Sequence, residues 1–271
     1  MTAKQTIGMT PQGQTAVTLL RALAKGDLAG VRGLFAGPAE IDDPFHGRHV
    51  DSGFETMVRT WVPAHRATIK GMDLTHCTVQ GSKSAAEITL SLERGGESVD
   101  LFVVVVSDHS PDDSLQASRL YYRRAVVDGR QHHRRPIVDH RPLPPLNPVL
   151  QAYQAALGAG DAEGMIATFG PGFHLDGHGQ DQDMSKGLGM GRYDLAEVSA
   201  ALHQMFGLNS EGATTLEKLN VIDDGTTTVI EFNLYQGVPE DPVARNHAGV
   251  AAYEMGPDGL LLEARVYDEA W

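Results

Sequence analysis

The sequence predicts an α+β protein of two tandem cone-shaped domains, each with three N-terminal helices packed on a curved, mainly antiparallel sheet. Two observations carry this prediction: the chain repeats itself at half length, and each repeat passes from helical periodicity to strand alternation. Ala24-Lys25-Gly26-Asp27 aligns with Gly158-Ala159-Gly160-Asp161, and Leu20, Leu23, Val31 and Phe35 then fall on Gln154, Leu157, Met165 and Phe169. The offset of 134 residues also places Asp42 on Asp176. After a gain of ten residues in the second copy, the offset becomes 144: Gly47-Arg48 meets Gly191-Arg192, Trp61 meets Met205, Gly81 meets Gly225 and Glu87 meets Glu231. Two further residues bring Arg119-Leu120-Tyr121 onto Arg265-Val266-Tyr267.

Each copy opens with an amphipathic helix, about 14–25 and 148–159, ending at a glycine. Asp27 or Asp161 then caps a second helix that ends near Phe35 or Phe169, which makes both aspartates structural. A short strand follows around Ile41 or Leu175, then a third helix over 52–62 or 194–206. Beyond it Ala86, Ile88, Leu90 and Leu92 alternate with Glu87, Thr89 and Ser91, and Ile230, Phe232 and Leu234 alternate with Glu231, Asn233 and Tyr235, as strands with one buried face do. An apolar strand (101–107, 248–255), a turn and a closing strand complete each copy.

The domains are therefore expected at 1–123 and 148–271, each large enough to bury its own core. Between them 124–147 carries Gln131-His132-His133-Arg134-Arg135-Pro136 and Arg141-Pro142-Leu143-Pro144-Pro145. Proline at this density reads as a semi-rigid connector, either solvated or laid as a strap across a domain face.

Acidic residues outnumber basic ones 35 to 22, for a net charge of −13 over 271 residues, which opposes a nucleic-acid partner. One cysteine, Cys77, excludes an intramolecular disulfide and suits a reducing cytoplasm. No basic segment followed by an apolar run opens the sequence, and the longest apolar stretch, Leu101 to Val106, is too short to cross a bilayer. A soluble, cytoplasmic protein is expected, with a small molecule as its partner, and either a monomer of two fused domains or a homodimer.

At this point the chain resembles a known family. The Gly-Asp helix junction, the segment Ile41-Asp42-Asp43-Pro44-Phe45-His46-Gly47 and the closing Gly259-Leu260-Leu261-Leu262-Glu263-Ala264-Arg265-Val266-Tyr267-Asp268 are similar to two copies of the nuclear transport factor two fold, most like its SnoaL-like polyketide cyclases. Ketosteroid isomerase, limonene-epoxide hydrolase and scytalone dehydratase are more distant relatives of that kind. The fold hosts enzymes and binding modules alike.

Carboxylates held away from water serve as acids or bases near neutral pH, because burial raises their pKa. Three acidic positions match between the copies: Asp42 with Asp176, Asp73 with Glu217, and Glu87 with Glu231. The resemblance to tandem epoxide-opening enzymes implies the acid pairs Asp42 with Asp73 and Asp176 with Glu217. The isomerase's general base resembles Asp43-Pro44, where copy two has Gly177-His178; its oxyanion tyrosine corresponds to Tyr153 in copy two and Leu19 in copy one. Neither copy holds the whole set.

Copy two adds His174, Asp176 and His178 at alternating positions, then a glycine-rich insertion to Gly191 suited to a lid. Such spacing can take a metal with His247 as a further ligand, but a histidine acid/base partnered by Asp176 or Asp268 is the simpler reading, and an ordinary polar strand end simpler still. The expected site is Asp176, Glu217, His178 and His247 in copy two and Asp42 with Asp73 in copy one, with no cofactor and no metal. The expected activity is that of a cyclase, isomerase or epoxide hydrolase working by acid/base catalysis on a small apolar oxygenated metabolite; a non-catalytic ligand-binding or interaction module is the alternative.

Overall fold

A computed structural model describes residues 10–44, 46–50, 53–128, 136–137, 143–177, 191–208, 214–236 and 247–267. The chain divides into two compact units, Met1–Arg130 and Gln131–Trp271. Each is built in the same way.

Unit 1 begins with α1 (Pro11–Lys25). The Thr10 hydroxyl accepts from the Gly13 N–H, Pro11 presets the first turn, and Gly26 ends the helix in the left-handed conformation at φ 62°. Leu19, Leu20 and Leu23 face the core. Helix α2 (Leu28–Arg32) is capped by Asp27, whose carboxylate accepts from the Gly30 N–H at 2.8 Å. In unit 2, α6 (Pro148–Ala159) repeats the device with Asn147, Pro148 and Gly160, and α7 (Ala162–Ile166) repeats it with Asp161 on the Gly164 N–H at 2.9 Å.

The segment expected as one short strand is an antiparallel hairpin in both units: β1 (Glu40–Asp43) with β2 (Gly47–Val50), and β7 (Phe169–Gly177) with β8 (Gly191–Asp194). The third helix follows. In unit 2 it is continuous, α8 (Leu195–Leu208); in unit 1 it is broken into α3 (Phe54–Arg59) and α4 (Val62–Arg66). Pro63 explains the break, since proline lacks the N–H that an interior helical position donates. Helix α5 (Arg124–Asp128) follows the last strand of unit 1.

The remaining strands form long meanders: β3 (Thr68–Gln80), β4 (Lys83–Arg94), β5 (Glu97–His109) and β6 (Leu115–Tyr122), then β9 (Thr214–Asp223), β10 (Thr227–Gln236), β11 (His247–Met255) and β12 (Leu261–Tyr267). The sheet orders are β2-β1-β6-β5-β4-β3 and β8-β7-β12-β11-β10-β9, antiparallel except where β1 meets β6 and β7 meets β12. These are the α+β layers expected, with one parallel pairing per sheet.

The duplication is exact at the level of pairing. Asp42 lies between Arg48 and Arg119 on the neighbouring strands, and Asp176 between Arg192 and Arg265, so all three alignment offsets reappear as hydrogen-bonded register. One face of each sheet packs on the helices. In unit 1 Ile41, Ile88, Leu90, Val103, Val105, Leu120 and Tyr122 meet Phe54, Met57, Val58 and Trp61; in unit 2 Phe173, Ile230, Phe232, Ala251 and Tyr253 meet Tyr153, Val198 and Leu202. Among the described residues no helix is long and apolar enough to cross a membrane.

Candidate active site

Alternation along β1 decides which acid faces the helices. Ile41 is in the core, so Asp43 shares its face, while Glu40 and Asp42 project from the other. The Asp43 side chain is fully buried. Its Oδ1 accepts from the His46 backbone N–H at 3.1 Å and lies 3.0 Å from His46 Nδ1; its Oδ2 accepts from Tyr122 Oη at 2.5 Å. Burial of a carboxylate is tolerated when its lone pairs are filled in this manner.

With Nδ1 turned to Asp43, His46 Nε2 is directed at Thr60 Oγ1, 3.3 Å away, and Thr60 in turn donates to the Thr56 carbonyl at 2.7 Å. An imidazolium here has an acceptor for each proton, Asp43 on one side and Thr60 on the other. A neutral ring keeps the Asp43 bond and frees the Nε2 lone pair. Both ring nitrogens of His46 thus face a hydrogen-bonding oxygen. The imidazole is one-fifth exposed.

Trp61 stands edge-on to Tyr122, with ring centroids 6.3 Å apart, and is fully buried. Its Nε1–H has no hydrogen-bond partner among the described residues. A second histidine, His49, donates from Nε2 to the His46 carbonyl at 2.9 Å. It lies so close to Gly53 that a Cβ there would sit 2.9 Å from Nδ1, and Gly53 has φ 84°, so any side chain at this position would strain the site twice over.

Unit 2 places Gly177 at the end of the β7 segment that corresponds to Ile41-Asp42-Asp43, and its helix-covered interior differs accordingly. Tyr153 and Tyr253 hydrogen-bond through their side chains with ring centroids 5.5 Å apart, and Phe169 stacks on Phe173 at 4.0 Å. Burial pushes the Tyr153 phenol up to about 12, the bond to Tyr253 opposing it.

Among the described residues, the expected site residues are not brought together. Asp42 and Asp73 lie on β1 and β3, separated by three strands of the sheet, and Asp176 and Glu217 are separated in the same way on β7 and β9. Four strand spacings amount to roughly 19 Å. Asp73 is exposed. Asp42 and Asp176 project from the face opposite the helices. There the Asp176 carboxyl is raised by burial and by Glu263, against the lowering charges of Arg192 and His174. Glu217 also lies on that face and accepts from Tyr235 Oη at 2.7 Å and Asn233 Nδ2 at 3.0 Å; burial and this carboxylate hold the Tyr235 phenol above its usual value. Glu231 is buried on the same face and accepts from Asn220 Nδ2 at 2.8 Å. His247 is buried on the opposite, helix-covered face shared by Ala251 and Tyr253. His178, Asp181 and Asp183 lie outside the described residues, as do the histidines and arginines of 131–135. Within the connector, Ile137 exchanges hydrogen bonds with the Asn233 side chain of β10, N–H to Oδ1 at 2.9 Å and Nδ2 to carbonyl at 2.8 Å.

The set that does converge, Asp43, His46 and Tyr122, was partly visible in the sequence. Asp43-Pro44-Phe45-His46 carries the acid and the imidazole within one turn, but Tyr122 lies 79 positions away and only pairing of β1 with β6 joins it to them.

Fold and site together define an α+β protein of two helix-on-sheet units, the first with a buried carboxylate paired to a partly exposed imidazole. No family model matches the chain, and no curated protein does. Solved structures do. A protein proposed to be a SnoaL-like polyketide cyclase from Shewanella denitrificans is 15% identical, with a TM-score of 0.33, covering 44% of this chain and 86% of its own. An epoxide hydrolase of limonene-epoxide hydrolase type from Mycobacterium tuberculosis is 16% identical, with a TM-score of 0.34, 44% of this chain and 79% of its own being covered. A protein proposed as a calcium/calmodulin-dependent protein kinase type II association domain, from Thiobacillus denitrificans, is 15% identical with a TM-score of 0.35 over 47% of this chain and 98% of its own. Each is thus similar over just under half of this chain.

Proposed function

We propose that unit 1 is the catalytic half and carries out cofactor-independent acid/base chemistry on a small apolar oxygenated metabolite, with His46 as the proton-transfer group. The observation that carries this reading is the fully buried Asp43 carboxylate, shared between Tyr122 Oη and His46 Nδ1. His46 Nε2 takes a proton from water, a hydroxyl or a carbon acid, and Asp43 balances the imidazolium until the proton is returned to oxygen or carbon. Tyr122 fixes the second Asp43 oxygen and so orients the ring through it. The Trp61 N–H supplies a donor for a substrate oxygen. Epoxide hydrolysis, cyclisation and isomerisation are all served by this arrangement. Residence in the cytoplasm, and action as a fused monomer or a homodimer, belong to the same proposal.

The test is turnover of a panel of apolar epoxides and enolisable ketones by the full chain, its His46→Asn and Asp43→Asn variants, and the Asp176→Asn and Glu217→Gln variants. Loss confined to the first two supports unit 1; loss confined to the last two transfers the chemistry to unit 2.

A second reading is a non-catalytic ligand-binding module. It is favoured by the His46 backbone N–H, which bonds the same Asp43 oxygen and closes the β1–β2 turn, a structural use of the carboxylate. Tight ligand binding without turnover, surviving Asp43→Asn, would distinguish it.

A further inference from the structure

We propose that unit 2 carries a divalent transition-metal site, suited to Zn²⁺, formed by His174 on β7, Asp176 on the same strand and Glu263 on β12. Each residue offers one ligand atom, and these atoms lie within 4.8 Å of one another. His174 Nε2 and Glu263 Oε1 are 3.1 Å apart, close to the separation of two ligands on one ion at Zn–N and Zn–O distances of about 2.0–2.2 Å.

The hydrogen bonding around His174 is contradictory without a cation. Arg192 Nη2, which can only donate, lies 2.6 Å from Nε2 and requires a lone pair there. Glu263 Oε1, which offers only lone pairs while ionised, faces the same nitrogen and requires a proton there. One nitrogen cannot meet both demands. A metal ion on Nε2 meets the Nε2 and Oε1 lone pairs together, with the Asp176 carboxylate as third ligand and water completing the coordination.

The support around the ligands is already built. Arg265, which is buried, donates to Glu263 Oε2 at 2.8 Å, fixing the carboxylate with Oε1 turned to His174. Arg192 is 65% exposed and 3.8 Å from Asp176, so its guanidinium can leave toward solvent when an ion takes its place.

Unit 1 supplies an internal comparison. The positions of His174, Asp176 and Glu263 are Glu40, Asp42 and Ala117 there, and the counterpart of Arg192, Arg48, makes a two-bonded pair with Glu40 at 2.7 and 3.1 Å. Two differences between the copies, imidazole for carboxylate and carboxylate for methyl, turn an ordinary ion pair into a three-ligand set.

The experiment is titration of the metal-free full chain with ZnCl₂, by calorimetry and by thermal melting, with His174→Ala, Glu263→Ala and Arg192→Ala alongside. Ala117 at the matching place in unit 1 indicates that Glu263→Ala is compatible with the fold. The wild type is expected to bind one Zn²⁺ per chain with a rise in Tm. His174→Ala and Glu263→Ala are each expected to weaken binding by at least about 10-fold, the lower end of what even a lost supporting hydrogen bond does at metal sites. Arg192→Ala is expected to bind as well as the wild type or better. No binding by the wild type, or binding that His174→Ala and Glu263→Ala leave unchanged while circular dichroism shows them folded, overturns the site.

Discussion

His46 Nδ1 lies 3.0 Å from Asp43 Oδ1 at the end of a strand whose next residue back, Asp42, points the other way. Asp43→Asn keeps the shape but presents a neutral amide to the imidazole and to Tyr122. Turnover is expected to fall by about 10²- to 10⁴-fold, and denaturant unfolding to lose about 1–3 kcal/mol from the disturbed buried bonds. His46→Asn should match the loss of turnover with little loss of stability, since the imidazole is near the surface.

Tyr153 gives a pH signature of unit 2. Its phenol is raised from 10.0 to about 12 by burial, so the folded state holds this proton more tightly than the unfolded state does. Stability from this group is complete below pH 10 and is lost as pH rises toward 12. Linkage makes the loss about 2–3 kcal/mol, measurable as a falling unfolding midpoint in alkaline buffers, and Tyr153→Phe should flatten that fall.

Asn233 ties Ile137 to β10 through both its amide groups while also donating to Glu217. Asn233→Ala leaves the Ile137 N–H and carbonyl without these bonds, at an expected cost of about 1–3 kcal/mol. Limited proteolysis should then cut within 124–147 faster than in the wild type. An unchanged cleavage rate would show that Asn233 does not anchor the connector.

Asp27 and Asp161 should be interchangeable in effect. Each caps a five-residue helix through the N–H three positions on, so Asp27→Ala and Asp161→Ala should each cost about 1 kcal/mol in chemical denaturation and leave turnover unchanged. Sharing no partner, the two losses should add in the double variant.

The framework was legible because it is local or repeated. Caps, helix-ending glycines and alternating strands follow from short-range chemistry, and the duplication transferred every element read in one copy to the other. The site was less legible for a specific reason. Asp42 and Asp43 are adjacent and chemically identical, and a single step along a strand exchanges its two faces. The match between the copies marks Asp42, whose counterpart Asp176 occupies the same place between two arginines, whereas Asp43, which unit 2 lacks, is marked only by the resemblance of Asp43-Pro44 to the isomerase's general base. The hairpin that carries His46 back beside Asp43 was hidden because β2 is only four residues long and mostly exposed, leaving no apolar pattern to read. The expected helix over 52–62 stops just before Pro63, and the structure starts a new helix there, at Val62.

Carrying two copies in one chain frees their interiors from one another. In an assembly of identical subunits a single codon change alters every site at once, so no interior can change alone. Here Asp43 belongs to one copy and Tyr153 to the other, each varied by its own codon, while the product always contains both in equal number. An engineer could therefore reshape the tyrosine-lined half for a new ligand and keep the carboxylate–imidazole half as an unaltered internal reference.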